Sequence, residues 1–221
     1  MSAVAALIVL NVATFVVEVR VPDMGAIVDR FALIPYDLLH GVQLPPPSAP
    51  LYATPLTALF LHANLWHLSF NVLFLLAFGP HVAERCGPVR FVAFYLLCGV
   101  AGNLAHALVF PASHLPVIGA SGAIAGVLGA YLMAYPTAGI RAVLPLDFLP
   151  RFIDVPAALL ILAWALAQFA WGYGTATAGD ASGGGTAYFG HVGGFIAGVL
   201  TIGAFARRKA GRRPYKYTPK A

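Results

Sequence analysis

Charge is scarce in this chain. Of its 221 residues only 10% are Asp, Glu, Lys or Arg, and 60% are hydrophobic. An ordinary soluble domain is about 25% charged. That shortage excludes a conventional water-soluble globule, a disordered chain and a coiled coil, because each needs a solvated polar face. Cysteine is nearly absent as well. Cys86 and Cys98 are the two, with no Cys-x-x-Cys spacing, which argues against a disulfide framework and a metal site and leaves both as packing residues. No aspartate pair lies in an apolar stretch, so an aspartyl membrane protease is unsupported. His62 and His67 stand five apart without His-Glu-x-x-His, which leaves a zinc protease without its ligands. There is no phosphate-binding glycine loop and no buried acid–base chain of the kind a proton pump needs. No cofactor is implied.

What is present is apolar length. Mean hydropathy is +0.81, and a spanning helix needs about 20 residues at roughly 1.5 Å each. Six apolar segments stand out, near 3–19, 64–81, 89–110, 118–135, 155–173 and 187–206. The expected fold class is therefore all-α, a polytopic membrane protein with six transmembrane helices over residues 1–206. A basic cytoplasmic tail follows at 207–221. No Lys or Arg precedes the first apolar stretch, which marks it as a retained span and not a signal peptide.

Segment 20–63 carries Pro22, Pro35, Pro45, Pro46, Pro47, Pro50 and Pro55, so it is no continuous helix. Its apolar pieces, Phe31 to Ile34 and Leu56 to Leu61, suggest a loop resting on the membrane surface. Segment 174–186 is rich in Gly, Ser and Thr and reads as a mobile connection. The other connections are expected to be short.

Net charge is +5, and seven of the thirteen Lys and Arg residues fall in the last fifteen positions. This is the pattern of a cytoplasmic anchor, compatible with anionic lipid and a poor fit to nucleic acid. With the N-terminus cytoplasmic, Arg85, Arg90, Arg141, Arg151 and the seven tail residues lie inside, and Arg20 and Arg30 outside. Eleven against two favours that orientation.

Polar residues inside apolar spans call for a functional explanation. Three places qualify: Gly119-Ala120-Ser121-Gly122 at the start of the fourth span, His191 at the start of the sixth, and His67 with Asn71 early in the second. In the orientation above all three lie near the outer ends of their helices. A serine hydroxyl needs a base to accept its proton, and a neutral histidine suits that work. A helix N-terminus offers free N–H groups to a developing oxyanion. His67 and Asn71, four apart, share a helix face and can both donate. At 100° per residue, His191, Gly194 and Gly198 form one small-residue strip, and Gly119, Gly122, Gly126 and Gly129 form another. Packing the two strips together would bring Ser121 to His191. His40, His81, His106 and His114 have no evident partners in the sequence and read as structural or exposed.

With these residues in hand, the sequence resembles the rhomboid family of intramembrane serine proteases. The resemblance rests on His-x-x-x-x-His-x-x-x-Asn at 62–71, Gly-Ala-Ser-Gly at 119–122 and His-Val-Gly-Gly-Phe-Ile-Ala-Gly at 191–198, in that order within a six-helix layout. It implies a rhomboid-like bundle and a Ser–His dyad without a third acidic member, Ser121 as nucleophile and His191 as general base. It implies an oxyanion hole at His67, Asn71 and Gly119, joined by the Ser121 N–H, with Gly119 also opening the serine loop. It implies transmembrane proteins as substrates, a membrane-embedded first loop at 20–63 and a cap at 174–186. Leu51-Tyr52-Ala53-Thr54 stands where many rhomboids carry a Trp-Arg pair. Ala125 stands four residues after the serine, where some members have an aromatic ring stacked on the histidine, so here the histidine must be oriented otherwise. The compact layout favours a bacterial plasma membrane, with the active site opening to the outer face. The runner-up is a non-catalytic relative that binds transmembrane helices, which would typically lack the serine or the histidine. A channel or transporter would call for paired charges or repeat symmetry that the chain lacks.

Overall fold

The computed structural model describes residues 2–45, 48–146, 149–182 and 185–207. In chain order its elements are α1 (Ala3–Glu18), α2 (Met24–Phe31), α3 (Pro35–His40), α4 (Thr54–Thr57), α5 (Leu65–Cys86), α6 (Pro88–Val109), α7 (Ser121–Ala134), the strands β1 (Gly139–Leu146) and β2 (Leu149–Pro156), α8 (Ala157–Thr177) and α9 (Tyr188–Phe205). Helices α1, α5, α6, α7, α8 and α9 coincide with the six apolar segments of the sequence. Among the described residues, α5, α6, α8 and α9 are long and apolar enough to cross a membrane alone, while α1 and α7 are shorter. The chain is an integral membrane protein built as a helical bundle.

The short central helix has a physical reason. All residues of α7 from Gly122 to Tyr131 are buried, so it is wrapped by other helices and meets little lipid. Its 14 residues reach about 21 Å, less than a hydrocarbon core of about 30 Å. A helix of that length with its far end at one interface would hold its first residue, Ser121, below the other.

Glycine sets the closeness of α7 and α9. A Cβ on Gly194 would run into the carbonyl of Gly122, and one on Gly198 into the carbonyl of Gly126. Farther along, a Cβ on Gly129 would come within 2.5 Å of the Phe195 carbonyl oxygen. Gly122, Gly126 and Gly129 of one expected strip therefore meet the other strip closely, while Gly119, expected in the same strip, precedes α7 and lies against His67 instead. Helix α6 closes on the same seam, with Gly102 against the Gly190 carbonyl. Phe91, Phe94 and Tyr95 of α6 fill the core beneath it.

Three connections differ from the sequence expectation. Segment 20–63 folds into short helices that lock into the bundle. Leu33 pairs with Val117 as an isolated bridge, the Thr57 hydroxyl donates to the Phe31 carbonyl at 2.6 Å, and Asn103 of α6 donates to the Pro55 carbonyl at 2.9 Å. Leu33, Ala58 and Leu59 are buried, so this segment forms part of the wall around the serine loop. The link between α7 and α8, expected to be short, is an antiparallel hairpin running in register from Gly139↔Pro156 to Leu146↔Leu149. The alternating signal was hidden because Pro145 and Pro150 interrupt both strands at facing positions. Helix α8 continues to Thr177, into the Gly/Ser/Thr-rich run. The hydroxyls of Thr175 and Thr177 bond back to the carbonyls of Gly172 and Tyr173, both at 2.9 Å. Pro80 sits inside α5 without ending it, as membrane helices tolerate.

The bundle has two distinct ends. At one, Val4 packs beside Gly79, and the Arg207 N–H donates to the Arg85 carbonyl at 2.9 Å, near the start of α6 with Arg90. At the other, the Glu18 carboxylate accepts from the His62 N–H at 3.3 Å, close to the starts of α5, α7 and α9. The expected basic tail beyond Arg207 lies outside the described residues. The histidines that lacked partners in the sequence pack on aromatic rings: His40 and His114 on Tyr36, His81 on Tyr131 and Tyr135, and His106 on Phe110.

Candidate active site

Ser121 opens α7 from a loop that only glycine can make. Gly119 has φ of +113°, and a Cβ there would lie 2.6 Å from His67 Cε1 and 2.7 Å from its Nε2. Both the backbone conformation and the approach of the imidazole exclude a side chain. The Gly119 N–H is engaged, donating to the Ala58 carbonyl at 2.8 Å. The N–H of Gly119, a residue expected in the oxyanion hole, is thus already taken, and Gly119 supplies shape to the site and pins the serine loop to segment 20–63. Ser121, at the first helical position, keeps an N–H with no acceptor inside the helix.

Asn64 positions the start of α5, its side chain accepting from the His67 N–H at 2.9 Å. The His67 ring is turned toward the serine loop, and the Ala63 N–H points at its Nδ1 from 3.5 Å. Accepting at Nδ1 leaves the ring proton on Nε2, the atom facing Gly119. Asn71 is buried one turn on and donates one amide hydrogen to the His67 carbonyl at 2.9 Å. An amide carries a second hydrogen.

His191 joins Ser121 across 70 positions of sequence, with the Ser121 hydroxyl donating to Nε2 at 2.8 Å. Its other nitrogen, Nδ1, donates to Gln168 Oε1 of α8 at 2.7 Å. Trp164, one turn earlier on α8, lies with its ring centre 5.9 Å from that of His191 and tilted by 32°. Neither Gln168 nor Trp164 was singled out in the sequence. The available signal was a lone amide inside the apolar run of α8, the same kind of signal that marked Ser121.

Ser121, His191, His67 and Asn71 all line one cavity of about 370 Å³, together with the polar Asn64, Trp164 and Thr186 and the apolar Phe74, Ile124 and Leu128. That volume falls in the range of ligand pockets, roughly 300–1,000 Å³. His62, the first residue of the 62–71 motif, is fully buried behind His67 at 5.2 Å between ring centres. Burial pushes its imidazole down to about 4, and His67 adds a smaller push the same way, against the Phe60 carbonyl that favours the charged form. His62 is therefore neutral at pH 7 and serves as packing. Among the described residues no group of three or more His, Cys, Asp or Glu gathers as a metal site.

A family model described as the rhomboid domain matches residues 52–208. The chain is 35% identical over 156 residues to rhomboid protease GluP of Bacillus subtilis, covering 71% of this chain and 26% of that protein. It is 33% identical over 151 residues to the mitochondrial rhomboid protein 1 of Saccharomyces cerevisiae, covering 64% and 38%. A shorter match, 34% identical over 77 residues, reaches inactive rhomboid protein 1 of Drosophila melanogaster, covering 35% and 5%. The chain thus spans well under half the length of these relatives.

Proposed function

The chain belongs to the rhomboid family, and from that premise we propose that it is an intramembrane serine endopeptidase acting on transmembrane proteins. The observation that carries the reading is the 2.8 Å hydrogen bond from Ser121 to His191 Nε2, inside a cavity walled by transmembrane helices. Ser121 Oγ attacks the scissile carbonyl while His191 Nε2 takes its proton. The oxyanion is held by the Ser121 N–H, the His67 Nε2–H and the free amide hydrogen of Asn71. The proton on His191 then passes to the leaving amine, which departs and leaves an acyl-enzyme. Water entering the cavity hydrolyses the ester by the reverse use of the same base.

The same proposal includes a bacterial plasma membrane with both termini cytoplasmic, residues 1–206 as the membrane domain, 207–221 as a basic tail, and a cavity opening outward. It is supported by Arg85, Arg90 and Arg207 lying at the end away from Ser121. One relative is named as inactive. The pairing of Ser121 with His191 favours the catalytic reading here.

Fluorophosphonate labelling of the purified protein, paired with cleavage of a model transmembrane substrate, tests the proposal. Labelling and cleavage should both vanish in Ser121→Ala. Well-folded protein that neither labels nor cleaves, in detergent and in lipid, would turn the reading to a helix-binding role.

A further inference from the structure

The resemblance implies a two-residue machinery, and Ala125 lacks the ring that would otherwise face the histidine. The structure has a different device in that place. Helix α8 presents Gln168, 7% exposed, with its Oε1 at 2.7 Å from His191 Nδ1. Trp164 lies against the same imidazole. From this geometry we infer that Gln168 is a positioning residue for the base, holding His191 in the tautomer that leaves Nε2 able to accept the Ser121 proton. The inference rests on the reading of Ser121 and His191 as nucleophile and base.

Donors and acceptors around His191 fix its tautomer. A neutral imidazole carries one N–H, and an amide oxygen can only accept. The contact with Gln168 Oε1 therefore places the proton on Nδ1. Nε2 is then a lone-pair acceptor facing Ser121, as proton abstraction requires. Without that acceptor, Nδ1–H would be a buried donor with no partner. The imidazole would then gain by moving its proton to Nε2 and donating to the Ser121 oxygen, the arrangement that cannot take a proton from serine. When His191 accepts the serine proton it bears two N–H groups, and the Nδ1–H stays on Gln168. The amide remains neutral throughout and takes no proton. The other titratable groups acting on His191 electrostatically are His67 of α5 and His106 of α6, and neither supplies an acceptor to Nδ1. Trp164, with a ring face and an N–H donor only, cannot supply one either.

The test uses the full chain, reconstituted and assayed near pH 8, where a histidine of ordinary pKa of about 6.5 is neutral. Wild type, Ser121→Ala, Gln168→Met and Gln168→Glu are compared for cleavage and for the rate of fluorophosphonate labelling per folded molecule. Gln168→Met keeps about the same volume and replaces the amide oxygen with a thioether, a much weaker acceptor. It should lower kcat and the labelling rate by about tenfold, the ratio an ordinary hydrogen bond sets between two tautomers, with KM within about twofold. Gln168→Glu restores an acceptor at Nδ1 and should turn over faster than Gln168→Met. A Gln168→Met variant with wild-type kcat, or a Gln168→Glu variant no faster than it, overturns the inference. Wild type cleaving no faster than Ser121→Ala instead removes the underlying reading of the pair.

Discussion

Helices α7 and α8 stand next to α9 and both reach His191, yet they are held in different ways. Helix α7 meets α9 through bare backbone, Gly122 on Gly194 and Gly126 on Gly198, and is buried along most of its length. Helix α8 meets α9 through side chains, Gln168 and Trp164 among them. It turns Leu159, Leu162, Leu166 and Phe169 outward. The distance between nucleophile and base is thus a property of a seam that is bare backbone at its first two crossings and meets a side chain, Val199, only farther along at Gly129. The orientation of the base is a property of a softer contact. A seam of glycines has no rotamers to relax, so an error there propagates into the catalytic distance, whereas a side-chain contact can re-form.

The sharpest way to break the contrast is Gly194→Val. The new side chain would run into the Gly122 carbonyl, and neither backbone can yield without parting the helices. Overpacking of this kind costs about 1–3 kcal/mol, and a displacement of about 1 Å can cost on the order of 100-fold in rate. Cleavage should fall by at least about 100-fold, and the thermal unfolding midpoint in detergent should drop with it. Wild-type turnover in this variant would show that α7 and α9 can separate without harm, and the seam would lose its assigned role.

Next in size is Gly119→Ala. It disturbs the serine loop and leaves the seam intact. A non-glycine residue in a strained backbone conformation costs of order 1–3 kcal/mol, and the added Cβ would displace His67, 2.6 Å away. Cleavage should fall by roughly 10- to 100-fold, with a smaller loss of thermal stability than Gly194→Val causes. Equal losses of stability in the two variants would mean that the loop is as much a part of the frame as the seam.

How much of this could be read from the sequence follows the same division. The glycine strips were visible because their spacing repeats on a helix at 100° per residue, and the spans because lipid demands apolar length. Ser121, His191, His67 and Asn71 stood out as polar residues at helix ends in an apolar chain. Gln168 was the same kind of signal, but its meaning depends on a contact 23 positions away that no local pattern encodes. The folding of segment 20–63 against α6 was hidden for a related reason. Its anchors, Thr57 to Phe31 and Asn103 to Pro55, are side-chain bonds to distant carbonyls. The hairpin between α7 and α8 was missed because its prolines mask the alternation of its strands.

The smallest expected effect lies on the outer face of α8, and it sharpens the comparison by its absence. Leu166 is 69% exposed and stands two residues from both Trp164 and Gln168, about half a turn, so it faces away from them. In a bilayer that side chain is surrounded by lipid tails, which are as apolar as leucine itself. The separated helix in the membrane would solvate it equally well. Truncation in Leu166→Ala therefore removes little that distinguishes the assembled bundle from its parts. The unfolding midpoint should stay within about 2 °C of wild type and the turnover of a model substrate within about twofold, since surface changes away from packed features usually fall within about 0.5 kcal/mol. If instead turnover dropped about tenfold with the midpoint unchanged, the outer face of α8 would be in contact with substrate during the reaction. The softer of the two contacts to His191 would then sit on a helix that the substrate itself can press upon.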